Sequence, residues 1–387
     1  MAGPAVLPPL PEAPVPAGGR GGARPSGTGA PAVGPGAPGR HLLALPDGIG
    51  PDEVEVLAMS RFPASRWERP ARLPTGRRAS GAARGAAPAA TAGVLRLGRL
   101  STLTGPYALD RARAARLGLP AGTTVAFVVD CPRERAPEPV FGGDRDGLRR
   151  AFGQAAPVRE EGRVLRWLVA VARRLGGAVR TDGGVVLEPE MDAALDLTVL
   201  TDRWAEPERV LAAVRRAAPQ ARIDGPAGPG AARPSPTRGV ARTGATLPGA
   251  GAGAGPGVAD EAERRRLHAE AAAFDAHMRA HPPASESFGV LVELGPDGFV
   301  LVEVAIEHEV PTVLAGLPWT QGEVVAYQVR WTPPDVEELA AERPSLPHRV
   351  ARGRAAPVVR SVARELQAEV GGEIADLAGF LVDPAQL

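Results

Sequence analysis

Glycine and proline decide where this chain is able to fold. Residues 1 to 40, 74 to 92 and 225 to 257 consist mainly of Gly, Ala, Pro, Ser and Arg, with few large apolar side chains. Such a composition buries too little surface to offset the entropy of ordering a chain, so disorder is expected there and order between. The organisation read from this is a mostly disordered Gly/Ala/Pro/Arg-rich region over 1–92, a first α+β unit over 93–224, a flexible Gly/Pro-rich linker over 225–257 and a second α+β unit over 258–387. The run "GAGAGAGPG" in the linker follows no strand, so it reads as a connector and not as a phosphate loop. Within the N-terminal region, "HLLALPDGIGPDEVEVLAMSRF" (41–62) reads as a short helix with little to pack against. A translation start at Met59 or later fits that reading.

Periodicity supplies the elements. An apolar strand spans Thr123 to Asp130, and a helix at 160–175 carries Val164, Trp167 or Leu168, Val171 and Leu175 on one stripe. Short strands follow at 178–181 and 184–188, then a strand at 194–202, a helix opened by Pro207 and a strand near 221–223. In the second region a helix starts at Asp260. A hairpin then joins "FGVLVEL" to "FVLVEVAIEHEV" across Gly295-Pro296-Asp297-Gly298. A strand at 323–331, a Pro-interrupted helical stretch and a helix from Pro357 to Val370 complete it.

The two regions echo one another. "GQAAPV" at 153–158 returns as "GRAAPV" at 353–358, and the same 200-residue spacing lays "TVAFVVDCP" (124–132) on "VVAYQVRWT" (324–332). Beyond the hexapeptide, a 195-residue spacing lays "GGAVRTDGGVVLEPEM" on "GGEIADLAGFLVDPAQ". Punctuation and apolar pattern agree, which points to an internal duplication of a strand, one or two helices, a Gly-Gly turn and two strands. The Gly pair after the helix is an ordinary C-terminal stop.

Composition removes whole chemistries. No Lys and no Asn occur, so all 45 basic residues are Arg, as codon bias in a GC-rich bacterial genome would produce. Without an amine there is no Walker A lysine, kinase lysine or Schiff base. The lone Cys131 excludes an internal disulfide and multi-Cys metal sites; following an apolar run, it reads as buried filler. The N-terminus lacks a signal-peptide pattern and no stretch is apolar enough to span a bilayer, so the expectation is a cytoplasmic protein with no membrane contact. Residues 1–120 hold 15 Arg against 7 acids and the rest 30 against 37, which describes a basic tail on a mildly acidic body.

Candidate sites are sparse. His277 and His281 have the helical i, i+4 spacing of a metal pair, although Pro282 pushes His281 beyond the helix end. Strand alternation puts Glu303, Glu307 and Glu309 on one face, with His308 on the other, where carboxylates would serve general acid-base work under a cleft. Arg163, Arg166, Arg173, Arg360 and Arg364 lie on two Arg-rich helical stretches, which would suit a phosphate backbone. No nucleophile elbow, zincin helix, EF-hand or cofactor loop is present, so no cofactor is expected. The reading is a non-enzymatic protein-interaction or regulatory module, binding a protein partner or itself. The alternatives are a hydrolase using Glu303, Glu307 or His308, and nucleic-acid binding through the Arg-rich helices.

Overall fold

A computed structural model of the chain describes residues 7–11, 38–73, 90–137, 143–224 and 288–387. The described residues form an α+β protein with two seven-stranded antiparallel sheets. In spatial order the first sheet holds β2 (Arg66–Arg69), β3 (Gly93–Arg96), β4 (Thr102–Ala108), β5 (Thr123–Pro132), β1 (Pro38–Pro46), β8 (Ala178–Arg180) and β9 (Val186–Leu187). The second holds β11 (Arg222–Asp224), β12 (Phe288–Glu293), β13 (Phe299–Glu307), β14 (Val324–Thr332), β10 (Leu197–Thr201), β15 (Glu373–Asp376) and β16 (Leu381–Val382). A small pair, β6 (Arg135–Ala136) and β7 (Ala156–Pro157), stands apart. Read in chain order, both sheets are built the same way: a strand that ends up interior, a helix, four strands forming one flank, a long helix, and two strands forming the other flank.

The helices cover one face of each sheet. On the first, α1 (Pro51–Met59) packs against α4 (Arg159–Leu175), and α4 lies on β1, β5 and β8. On the second, α5 (Pro207–Ala217) packs against α6 (Leu346–Val370), which lies on β10, β13, β14 and β15. Strand alternation then builds each core: Leu43, Leu45, Phe127, Val129 and Val179 face the first helix layer, while Val199, Tyr327, Val329, Val302 and Ile374 face the second. Opposite faces carry smaller clusters, one under α2 (Arg111–Arg116) around Tyr107, Leu109 and Leu119, the other around Leu200, Leu314 and Ala326.

Strand register ties the two sheets together residue by residue. Leu43 pairs with Phe127 on one side and Val179 on the other, and Val199 pairs with Tyr327 and Ile374. Phe127 and Tyr327 are 200 apart, Val179 and Ile374 are 195 apart, so both sequence spacings meet at one strand position. A third spacing, 156, follows from Leu43 and Val199. It holds through Pro51/Pro207 at the helix starts, the buried Val54/Val210, and Arg66/Arg222 on the outermost strands. The Gly pair does more than end a helix. A Cβ on Gly177 would strike the carbonyl of Ala44, and one on Gly372 the carbonyl of Leu200, positions again 156 apart.

The structure corrects several expectations. Residues 41–62 are not a loose helix in a disordered region: they supply β1, with Leu43 and Leu45 fully buried between β5 and β8, and then α1. A start at Met59 would delete that interior strand. Residues 197–224, expected in the first unit, form β10, α5 and β11 of the second sheet, because β1 already fills the equivalent place in the first. The long helix does not start at Pro357: after a 3-10 turn at Glu337–Ala340 and a break over 341–345, α6 begins at Leu346 and runs through the proline, whose ring is exposed. The hexapeptide echo is not positional either. In the first unit it spans the break between α3 (Leu148–Ala151) and α4, whereas in the second it lies inside α6. The helix starting at Asp260 lies outside the described residues, as does most of each Gly/Pro-rich stretch.

Candidate functional site

One buried ionisable cluster stands out, and sequence reasoning did not find it. It gathers His41 from β1, Glu161 from the first turn of α4, Asp182 just past β8, and Arg133 and Arg135 from the chain leaving β5. The His41 and Glu161 side chains are fully buried. Glu161 accepts from the Glu134 N–H (2.8 Å) and from Arg135 Nη2 (2.8 Å). Asp182 accepts from Arg135 Nη2 (2.8 Å) and Arg133 Nε (2.9 Å), and its own N–H donates to His41 Nδ1 (3.2 Å). Phe152 closes the floor, with the Arg135 guanidinium 4.7 Å above its ring.

The electrostatics are those of a closed knot. Burial, more than any charge, drives the His41 pKa down to about 4; Asp182 pulls the other way, and Arg135 and Arg133 side with burial against it, so the imidazole is neutral near pH 7. Burial pushes Asp182 up, but hydrogen bonds from Arg135 and Arg133 outweigh it and hold the carboxyl below its ordinary range. The same burial drives the neighbouring Cys131 thiol up to about 12, reinforced by Glu161 and Asp182, so no thiolate is available.

Ligand atoms of His41, Glu161 and Asp182 lie within 4.8 Å of one another, the compactness of a metal site. The donors do not suit one. His41 Nδ1 spends its lone pair on the Asp182 N–H, which places the ring proton on Nε2, and Nε2 faces Glu161 Oε1 at 3.8 Å without a hydrogen bond. Both carboxylates are already neutralised by guanidinium groups. At the equivalent places the second unit has Leu197, Ala356 and Leu377, so the fold itself does not require the knot.

Where the two units meet there is a cleft of about 330 Å³ lined by charged groups from both, among them Arg145, Glu188, Glu342 and Arg352. Arg150 grips Glu342 with Nε (3.0 Å) and Nη2 (2.7 Å), and the buried Arg352 binds Asp192 (2.9 Å) and Glu190. The His348 ring lies 5.1 Å from that of Trp331 and tilted against it, with its pKa lowered by burial and then by Arg352. Arg150 with Glu342 and Arg352 with Glu190 thus pair across the junction.

The outer face of the first sheet holds a third feature, a seat occupied by the chain itself. Leu7–Pro11 lies beside the end of β4, bridging in parallel between Pro9 and Ala108. Leu10 is 6% exposed there and joins Tyr107, Leu109 and Leu119.

The sequence candidates do not converge. Glu303 is half-exposed, 3.8 Å from Arg330, and Glu307 turns back to accept the N–H groups of His308 (3.0 Å) and Glu309 (3.1 Å). Four residues along a strand separate the two acids by roughly 13 Å. His308 is exposed beyond the strand end. His277 and His281 lie outside the described residues. Of the arginines, Arg163 pairs with Glu160, Arg173 with Asp146, and Arg364 donates to the Leu387 carbonyl (2.8 Å). Arg166 is exposed, with its pKa lowered first by desolvation and then by Arg61 and Arg163, and Arg360 lines a smaller cleft. Compared with known proteins, the chain matches no family model, no curated protein and no solved structure.

Proposed function

We propose that this chain is a non-enzymatic interaction module, built from a duplicated α+β unit and acting in the bacterial cytoplasm. The duplication is supported by the shared strand order and by the three spacings that meet at Leu43 and Val199. The observation that carries the interaction reading is the seat on the first sheet, where an extended segment is held through its backbone at the end of β4. Addition of an extended segment to a sheet edge is a general recognition mode that needs no reacting group. The knot around His41 supports the same reading, since its carboxylates are neutralised and its imidazole is neutral and enclosed. No helix among the described residues is long and apolar enough to cross a membrane.

Native mass spectrometry of the full chain, purified gently from its source, tests this. A stoichiometric protein or a second copy of the chain is expected. A stoichiometric small molecule that the chain turns over would replace the reading with a catalytic one.

A further inference from the structure

The segment on the first sheet has the sequence Leu7-Pro8-Pro9-Leu10-Pro11. Its three prolines have no N–H, so between Pro8 and Pro11 only Leu10 has a main-chain donor to satisfy. That donor goes to the Ala108 carbonyl (3.4 Å), and the Ala108 N–H donates to the Pro8 carbonyl (2.7 Å). This pairing is open because β3 meets β4 only from Thr102 to Gly105, leaving the edge at Ala108 to the segment. Arg113 of α2 then donates to the carbonyls of Leu10 and Pro11, the latter at 2.6 Å. Every polar contact is to the backbone and reads no side chain.

Selectivity falls on two leucines. Leu10 is buried among Tyr107, Leu109, Ala114 and Leu119 on the outer face, and Leu7 packs against the core on the helix side. Pro9 and Pro11 are exposed. The seat thus measures an extended segment with leucines three residues apart and little hydrogen-bonding demand between them, the properties of a polyproline-like peptide. Its contacts are few, yet the segment belongs to the same chain, and an intramolecular ligand at a millimolar effective concentration fills a site that it would occupy weakly as a free peptide.

We infer that this seat is a binding site for an extended, proline-rich segment with leucines three apart on a partner protein, and that Leu7–Pro11 occupies it in cis as a displaceable competitor. The inference rests on the interaction reading and adds the partner's chemistry and its regulation: a partner must outcompete the tethered segment, so occupancy responds to the partner's concentration and to anything that pulls the N-terminus away.

The test uses the full chain and a fluorescein-labelled peptide of residues 4–14, PAVLPPLPEAP, followed by anisotropy. The variant Leu7→Ser/Leu10→Ser vacates the seat and is expected to bind the peptide at least about 10-fold more tightly than the wild-type chain. Adding Arg113→Ala, or Arg113→Lys to retain the charge without the two-pronged donation, should weaken that binding. A peptide with both leucines replaced by serine should not bind. Equal binding by wild type and vacated variant, equal binding of the serine peptide, or no binding by a vacated variant that keeps its circular dichroism would each overturn the inference. So would a dimer of the wild-type chain in light scattering that the vacated variant loses, because the segment would then sit on a second copy. Native mass spectrometry separates the two levels: a partner held when the peptide does not bind keeps the interaction reading and removes this seat from it.

Discussion

His41 combines complete burial with a titratable ring, and the consequence is a pH dependence with a defined sign. The folded chain holds the imidazole neutral down to about pH 4, whereas an unfolded histidine takes up its proton near 6.5. Between those values the unfolded state binds more protons, so stability falls as pH falls from 6.5 toward 4 and the loss is complete below the folded pKa. The span corresponds to on the order of 3 kcal/mol. His41→Asn offers Oδ1 to the Asp182 N–H without a titrating ring. Urea unfolding at pH 7 and pH 4.5 should therefore show a smaller pH difference in the variant than in the wild type. Carboxylates held by arginine, such as Asp182, titrate lower and dominate only below this window. Little of this was legible from sequence. The apolar run before Cys131 gave its burial, but the five knot residues come from separate stretches between 41 and 182, and only the cluster Arg133-Glu134-Arg135 after an apolar strand hinted at charge near a core.

Elements were legible where apolar period and length agreed, as in α4, β5 and the β12–β13 hairpin. They were lost where composition misled. Pro46 and the glycines around α1 made residues 38–59 look like tail, yet Leu43 touches no solvent and has strands on both sides. Leu43→Ala should destabilise the chain by about 2–5 kcal/mol in equilibrium denaturation, the range for a cavity in a well-packed core. A loss below about 1 kcal/mol would show that β1 is peripheral. The hexapeptides make the complementary point: nearly identical sequences bridge two helices in one unit and continue a helix in the other, so tertiary packing overrides local preference. Pro357 remains a local cost, since it withholds an N–H from an α6 turn while its ring faces solvent. Pro357→Ala should stabilise the chain by about 1–2 kcal/mol, the helical gain being reduced by the greater freedom of the unfolded chain. A destabilised variant would mean that Pro357 stabilises the chain by more than it costs the helix.

At the scale of the molecule, the two units share more than a pattern. Phe380 belongs to the turn between β15 and β16 of the second sheet, a turn fixed by Asp376 accepting the N–H groups of Ala378 (2.9 Å) and Phe380 (3.0 Å). Its ring is 2% exposed, and it packs into the core of the first unit beside residues of α4. Arg174 of α4 reaches the Leu381 carbonyl (3.4 Å) from the other side. One unit's core is thus completed by the other's side chain, which makes their unfolding cooperative in a way that surface ion pairs such as Arg150–Glu342 would not. A single calorimetric transition is expected for the wild-type chain. Phe380→Ala should cost about 3–5 kcal/mol through the cavity it leaves. It should also separate the endotherm into two, because among the described residues Phe380 is the fully buried side chain that the second unit contributes to the first unit's core. Arg150→Ala, removing an exposed ion pair from the same junction, should lower stability by less than about 1 kcal/mol and leave one transition. If Arg150→Ala split the endotherm and Phe380→Ala did not, the units would be coupled through their charges, and the cleft would be the place to look for a ligand that controls them.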